Sequence, residues 1–111
     1  VIKLVYCFAR RPDLTPEEFR RHWRDVHSPL GARIPGLRRL VQSYLVHVPG
    51  DVRAPDFDGM SELWFDDASS LLAARQSPEW RASSADEVNF IDETRVAYFV
   101  TEERDVPLSP A

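Results

Sequence analysis

The sequence predicts an α+β domain: a four-stranded antiparallel sheet with helices on one face, in the order β-α-β-β-α-β. Three observations carry this prediction. Short apolar runs open and close the chain and recur twice in its middle, as strands do. A well-capped amphipathic helix separates the first run from the second. A second helical region, restarted at Ser77-Pro78, separates the third from the fourth. A chain of 111 residues has room for one such domain and no second core. Residues 1–104 are expected to form the domain and 105–111 a C-terminal arm.

Val1 to Ala9 reads as the first strand. It is apolar apart from Lys3 and carries Tyr6 and Phe8 among its even-numbered residues, so burial on both faces is expected. Arg10-Arg11-Pro12-Asp13 turns the chain, because Pro12 lacks a donor and biases Arg11 away from helical angles. Thr15 then suits an N-cap, Pro16 the first helical position and Glu18 the third, which together make a capping box. Leu14 can staple onto Phe19. Phe19, Trp23, Val26 with His27, and Leu30 recur every three to four residues as one buried stripe. Pro29 kinks or ends this helix before Ile34-Pro35-Gly36.

Leu40 to Val48 reads as the second strand, with Gln42, Tyr44 and Val46 on one face and Val41, Ser43, Leu45 and His47 on the other. The loop from Pro49 to Gly59 follows. Met60 to Phe65 is the third strand, with Glu62 and Trp64 sharing a face. Asp66 or Asp67 caps a helix through Leu71, Leu72 and Ala74. Ser77 caps the next, with Pro78 at its first position. Thr94 to Val100 is the last strand. This order is that of a ferredoxin-like plait. Helices cover one face of such a sheet, yet strands one, two and four are apolar on both. A monomer would expose hundreds of Å² of apolar sheet, so two sheets pairing in a homodimer are expected.

Composition excludes several classes. A formal net charge of -4 gives no reason to expect a nucleic-acid partner. The opening apolar run, about six residues, is too short to span a membrane. Cys7 is the single cysteine; it forms no internal disulfide, and a reducing cytoplasm is expected. Paired cysteines, metal-helix histidine spacing, glycine-rich phosphate loops and dinucleotide fingerprints are all missing. Neither a metal nor another cofactor is therefore expected.

Three histidines remain as candidates for chemistry. His22 sits at the edge of the buried stripe, where a boundary role is expected. His27 lies on the buried side near the helix end, either as a capping or core residue or as a proton-transfer group with a pKa suited to neutral pH. Tyr44 and His47 compete as its partners, since three positions along a strand point them to opposite faces. Glu62 interrupts an otherwise apolar strand. A carboxylate there needs a partner: an imidazole, an arginine such as Arg95, or a surface cation at the sheet edge. Trp23, Trp64 and Phe8 are expected to wall a substrate cavity beside Glu62.

The run Thr15-Pro16-Glu17-Glu18-Phe19, then Trp23, His27, Pro29 and Leu30, resembles the signature of the EthD domain family, within the dimeric α+β barrel superfamily. The resemblance extends over nearly the whole chain. It takes in Ile2-Lys3-Leu4-Val5, Ser61-Glu62-Leu63-Trp64-Phe65, Ser77-Pro78-Glu79-Trp80, Asp86-Glu87 and Phe90. It implies a homodimer whose two sheets close a barrel, with a pocket between sheet and helices in each subunit. Members and relatives include a methylmuconolactone isomerase, aromatic polyketide cyclases, fungal dehydratases and an accessory protein of fuel-ether degradation. They act mostly on small hydrophobic or aromatic molecules without metal or flavin. The motif histidine carries over to His27, and a cavity tyrosine, more loosely, to Tyr44. The implied activity is a cofactor-independent isomerase, cyclase or dehydratase acting on a carbonyl compound or lactone. A non-catalytic carrier and a cofactor-free monooxygenase are the alternatives.

Overall fold

The computed structural model describes residues 1–110. Its elements run β1 (Ile2–Arg10), α1 (Pro16–His22), a π-helical turn (Trp23–His27), α2 (Ser28–Gly31), β2 (Arg39–Tyr44), β3 (Gly59–Phe65), α3 (Ala68–Arg75), α4 (Pro78–Asp86), a 3-10 turn (Glu87–Asn89) and β4 (Ile91–Thr101). The strands form one antiparallel sheet in the order β2-β3-β1-β4. This is the ferredoxin-like arrangement, with the first and third strands central. No helix of the described residues is long and apolar enough to cross a membrane.

Local sequence sets the helix starts. Thr15 accepts from the Glu18 amide while Glu18 accepts from the Thr15 amide, so the capping box closes both ways. Asp67 caps α3 through the Ser70 amide, and Ser77 caps α4 through the Trp80 amide. The first helix does not stop at Pro29. It widens instead into the π turn, where the Ser28 amide bonds the Trp23 carbonyl. The turn suits Pro29, which has no N–H to offer a carbonyl behind it.

The second strand is shorter than expected. It ends at Tyr44 because its partner β3 begins at Gly59, directly opposite, so Leu45 to Val48 have no ladder to join. The last strand is longer, starting at Ile91, with a register shift opposite Phe8 and Ala9. Of the expected arm 105–111, residues 105–110 are exposed and carry no regular secondary structure, and Ala111 lies outside the described residues.

Side chains on the helix side of the sheet form two apolar clusters. Leu4, Ile34, Leu63, Phe65, Leu71 and Ala74 make one, and Phe8, Phe19, Trp23, Phe90 and Ile91 the other. Leu4 and Phe8 stand four residues apart on one face of β1, about 13 Å. Tyr6 lies between them. The space over Tyr6 is where the two clusters fail to meet.

Candidate functional site

A cavity of about 370 Å³ occupies that space, a size suited to a small organic ligand. Its floor comes from the sheet, including Leu4, Tyr6, Phe8, Leu40, Gln42 and Leu63, and its roof from His27, Ile34, Trp80, Ser83 and Glu87. The walls are mainly apolar, and a few polar groups converge between them.

Asp86 organises the first polar group. Only 8% exposed, it accepts from His22 Nε2 at 2.9 and 3.0 Å, from His27 Nδ1 at 2.9 Å and from Asn89 Nδ2 at 3.0 Å. Burial pushes its carboxyl up, but the hydrogen bonds from Asn89, His22 and His27 outweigh burial and hold it below the usual carboxylate range. Asp86 is therefore an anion at neutral pH. Burial acts in the other direction on His27, where it lowers the imidazole pKa against the opposing pull of Asp86. His27 is then a neutral ring with its proton on Nδ1, facing the carboxylate. Nε2 has no hydrogen-bond partner among the described residues. The ring packs on Phe90 with centroids 4.7 Å apart.

Tyr6 and Glu87 form the second group. The Tyr6 hydroxyl donates to Glu87 Oε2 at 2.9 Å. Burial raises both groups: it pushes the Tyr6 phenol far above its ordinary value and lifts the Glu87 carboxyl, with Glu93 and Asp86 adding to the latter. Arg75 and Tyr98 form the third, with the guanidinium donating to the Tyr98 hydroxyl. Ser28 bridges from the π turn to the floor, its hydroxyl bonding the Trp23 carbonyl at 2.8 Å and Gln42 Oε1 at 2.9 Å. Among the described residues, no group of three or more His, Cys, Asp and Glu side chains has the geometry of a metal site.

Of the residues singled out from sequence, the structure brings His27 and Phe8 to this cavity. Tyr44 faces the helices but not the cavity, because the Trp23 indole stands against it edge-on at 4.9 Å and fills the space between. Trp23 itself is 0% exposed. It packs on Phe8, Phe19 and Tyr44 as core. His47 lies beyond the end of β2, exposed. Strand alternation puts Glu62 and Trp64 on the opposite face of the sheet. There Glu62 pairs with Lys3 at 2.8 Å, while Trp64 lies under Arg39 at 4.6 Å and bonds Glu103. Neither Arg95 nor an imidazole is the partner of Glu62. His22, expected at a boundary, is half-buried and tied to Asp86.

Comparison with known proteins agrees with this fold. The EthD domain family model matches residues 11–94, well over half of the chain. The chain belongs to the EthD domain family. An EthD family protein of Bacillus halodurans shares 29% identity over 93% of this chain and 98% of its own, with a TM-score of 0.77. A dimeric protein of unknown function from Bacteroides fragilis, with a ferredoxin-like fold, shares 16% over 92% and 95%, TM-score 0.67. SnoaB, a cofactor-independent oxygenase of Streptomyces nogalater, shares 15% over 95% and 94%, TM-score 0.64. The last two likenesses are of fold. No curated protein sequence matches the chain.

Within this EthD domain, Tyr6, Glu87 and Arg75 line the cavity, and Asp86 holds His27 from behind it; the sequence did not single out a role for any of the four. Trp80, Ser83, Ser84 and Glu87 recur at helical spacing and all line the cavity. A helix face that mixes serines and a carboxylate with one aromatic was the available signal, since a face packed on solid core would be apolar.

Proposed function

We propose that this EthD domain binds a small, largely apolar carbonyl compound or lactone in the cavity and that His27 moves a proton on it. The observation that carries this reading is the His27–Asp86 pair. A buried carboxylate holds Nδ1–H, so the lone pair of Nε2 belongs to the one ring nitrogen left without a partner. Such an imidazole takes a proton from a carbon next to the carbonyl, and the electron pair passes onto the oxygen. Returning the proton to a different carbon completes an isomerisation without a cofactor; in a cyclisation the enolate carbon attacks a second carbonyl of the same molecule and the proton goes to the alkoxide so formed. Tyr6, not Tyr44, is the phenol that lines the cavity, and its hydroxyl proton is committed to Glu87.

The test is hydrogen–deuterium exchange at the acidic C–H of a panel of aryl ketones and lactones, followed by NMR. The domain is expected to accelerate exchange for at least one member, and His27→Ala to lose roughly 10²–10⁴-fold of that acceleration. An unchanged rate in His27→Ala would remove the catalytic reading and leave binding. The fold shared with SnoaB supports a second reading, in which a deprotonated aromatic substrate is oxidised by dioxygen. Oxygen uptake coupled to substrate loss distinguishes it.

We also propose a homodimer built on the sheet face away from the helices. Val5, Cys7, Ala97 and Phe99 are neighbours there by register, and Phe99 is 49% exposed. The Bacteroides fragilis relative and one from Thermobifida fusca are described as dimeric, which supports the reading.

A further inference from the structure

Arg75 is out of place in an apolar cavity unless something anionic comes to meet it. Arg11, Arg24 and Arg38 pair with Asp13, Asp25 and Asp66. Arg20, Arg81 and Arg95 donate to backbone carbonyls. Arg75 does neither among the described residues. Its hydrogen bond goes to a neutral phenol, Tyr98, whose ring lies 5.3 Å from the guanidinium. The one carboxylate that shares the cavity wall, Glu87, is engaged by Tyr6 instead. Arg75 is half-buried as a residue, and its guanidinium sits at the open side of the cavity with five donors and one neutral acceptor among the described residues.

Resting on the reading of the cavity as a ligand site, we propose that its ligand carries a carboxylate and that Arg75 and the Tyr98 hydroxyl receive it. The placement fits a ligand held at both ends. Arg75 is the last residue of α3, whose Leu71 and Ala74 belong to the Leu4 cluster. His27 packs on Phe90 of the Phe8 cluster. A carboxylate at Arg75 therefore directs the rest of the molecule across Leu4, Leu40 and Leu63 toward His27. The substrate class narrows to small carboxylic acids with an unsaturated or aromatic body. A planar fork matches a carboxylate bidentately. The acid is thereby fixed in orientation as well as position, so the carbon offered to Nε2 is set by its distance from the carboxylate.

The experiment compares a matched pair, trans-cinnamate and trans-cinnamide, titrated into the isotope-labelled protein and followed by amide chemical shifts. Both probes are expected to shift cavity amides. The acid should bind about tenfold more tightly, because charge-assisted hydrogen bonds are roughly twice as strong as neutral ones. Added salt should weaken the acid and not the amide. Arg75→Gln should erase the preference, Arg75→Lys keep part of it, and Tyr98→Phe lower it a few-fold. Equal affinities with cavity shifts from both probes would overturn the carboxylate assignment and leave the cavity reading standing. An Arg75→Gln variant that keeps the preference would also overturn the assignment. Cavity shifts from neither probe would overturn it and count against the cavity reading as well. Failure of His27→Ala to slow proton exchange bears on His27 alone and leaves this preference untouched.

Discussion

Replacing Asp86 by asparagine keeps its shape and removes its charge, and the consequences follow from the donors around it. Oδ1 accepts from His22 and Asn89, and Oδ2 from His22 and His27. An amide has one acceptor oxygen. Whichever way it is turned, its NH₂ faces an N–H that formerly found an oxygen. Hydrogen bonds to a charged group contribute about 1.5–3 kcal/mol and neutral ones about 0.5–1.5. Three donors losing that difference, partly offset by no longer burying an ion, give a net loss of about 2–4 kcal/mol. For a domain of this length, the melting temperature should fall by roughly 10–20 °C.

The same substitution acts on the chemistry. If the amide NH₂ turns toward His27, Nδ1 must become the acceptor and the proton moves to Nε2. The nitrogen without a protein partner then donates where it previously accepted. Proton abstraction should drop by roughly 10²–10⁴-fold. With the Asp86 charge gone, the His27 pKa should fall further, since that charge is what opposes burial. Urea unfolding at neutral pH measures the stability, and imidazole nitrogen shifts report the tautomer. A variant that unfolds within about 0.5 kcal/mol of the parent, with His27 still protonated on Nδ1, would refute the reasoning.

Acid should weaken the fold in a defined order. The folded state protonates His27 less readily than the unfolded chain does, so its contribution is complete above the ordinary imidazole pKa of about 6.5 and is lost as pH falls below it. The Asp86 contribution has the same sign and is lost lower, below about pH 4. Glu87 opposes both: its raised pKa favours the fold below about pH 4.3, and that benefit disappears as pH rises through the folded value. Urea titrations should show stability falling from pH 7.5 to 5.5 and a shallower slope in His27→Gln; a rise over that interval would contradict the assignment. Gly59→Ala should cost about 1–3 kcal/mol by overpacking, because a Cβ there would lie 2.7 Å from the Trp23 ring; an unchanged urea midpoint would show that the indole can yield. Phe99→Asp should give a monomer by light scattering with the helix-side clusters intact, and a dimer that survives it would place the interface elsewhere.

Much of the fold was legible because its determinants are local. The caps at Thr15, Asp67 and Ser77 are written within three residues of the amides they serve, and strand alternation needs only its own period. The site was less legible because its partners are far apart in sequence. His27 and Asp86 are separated by 59 residues, as are Lys3 and Glu62. Tyr44 illustrates a different limit. Its face could be read from period two, but its exclusion from the cavity depends on the volume of Trp23, a quantity that no pattern along one strand contains. Val26 illustrates a third. Helical spacing places it with Trp23, yet it is 47% exposed, because the π turn adds a residue where an unbroken α-helix would not.

That extra residue bears on why His27 is available at all. In an unbroken α-helix, Trp23 and His27 stand four apart and share one face; here both touch the aromatic cluster, Trp23 within it and His27 against Phe90 from the cavity side. The π turn separates their tasks. Trp23 completes the packing around Phe8 with no exposed surface, while His27 ends the π turn beside Asp86 and the cavity. Ser28 holds the widened turn by bonding the Trp23 carbonyl with both its amide and its hydroxyl, and the same hydroxyl anchors it to Gln42 on the cavity floor. The helix thus gives up regular hydrogen bonding at one turn, a departure that π-bulges often make at functional sites. In return, a core tryptophan and a partly solvated imidazole lie four residues apart without competing for one space. The Trp-His-Pro spacing is therefore more than a mark of ancestry: Trp23 fills the aromatic core beside Phe8, His27 lines the cavity, and Pro29 favours the irregular turn that lets both happen.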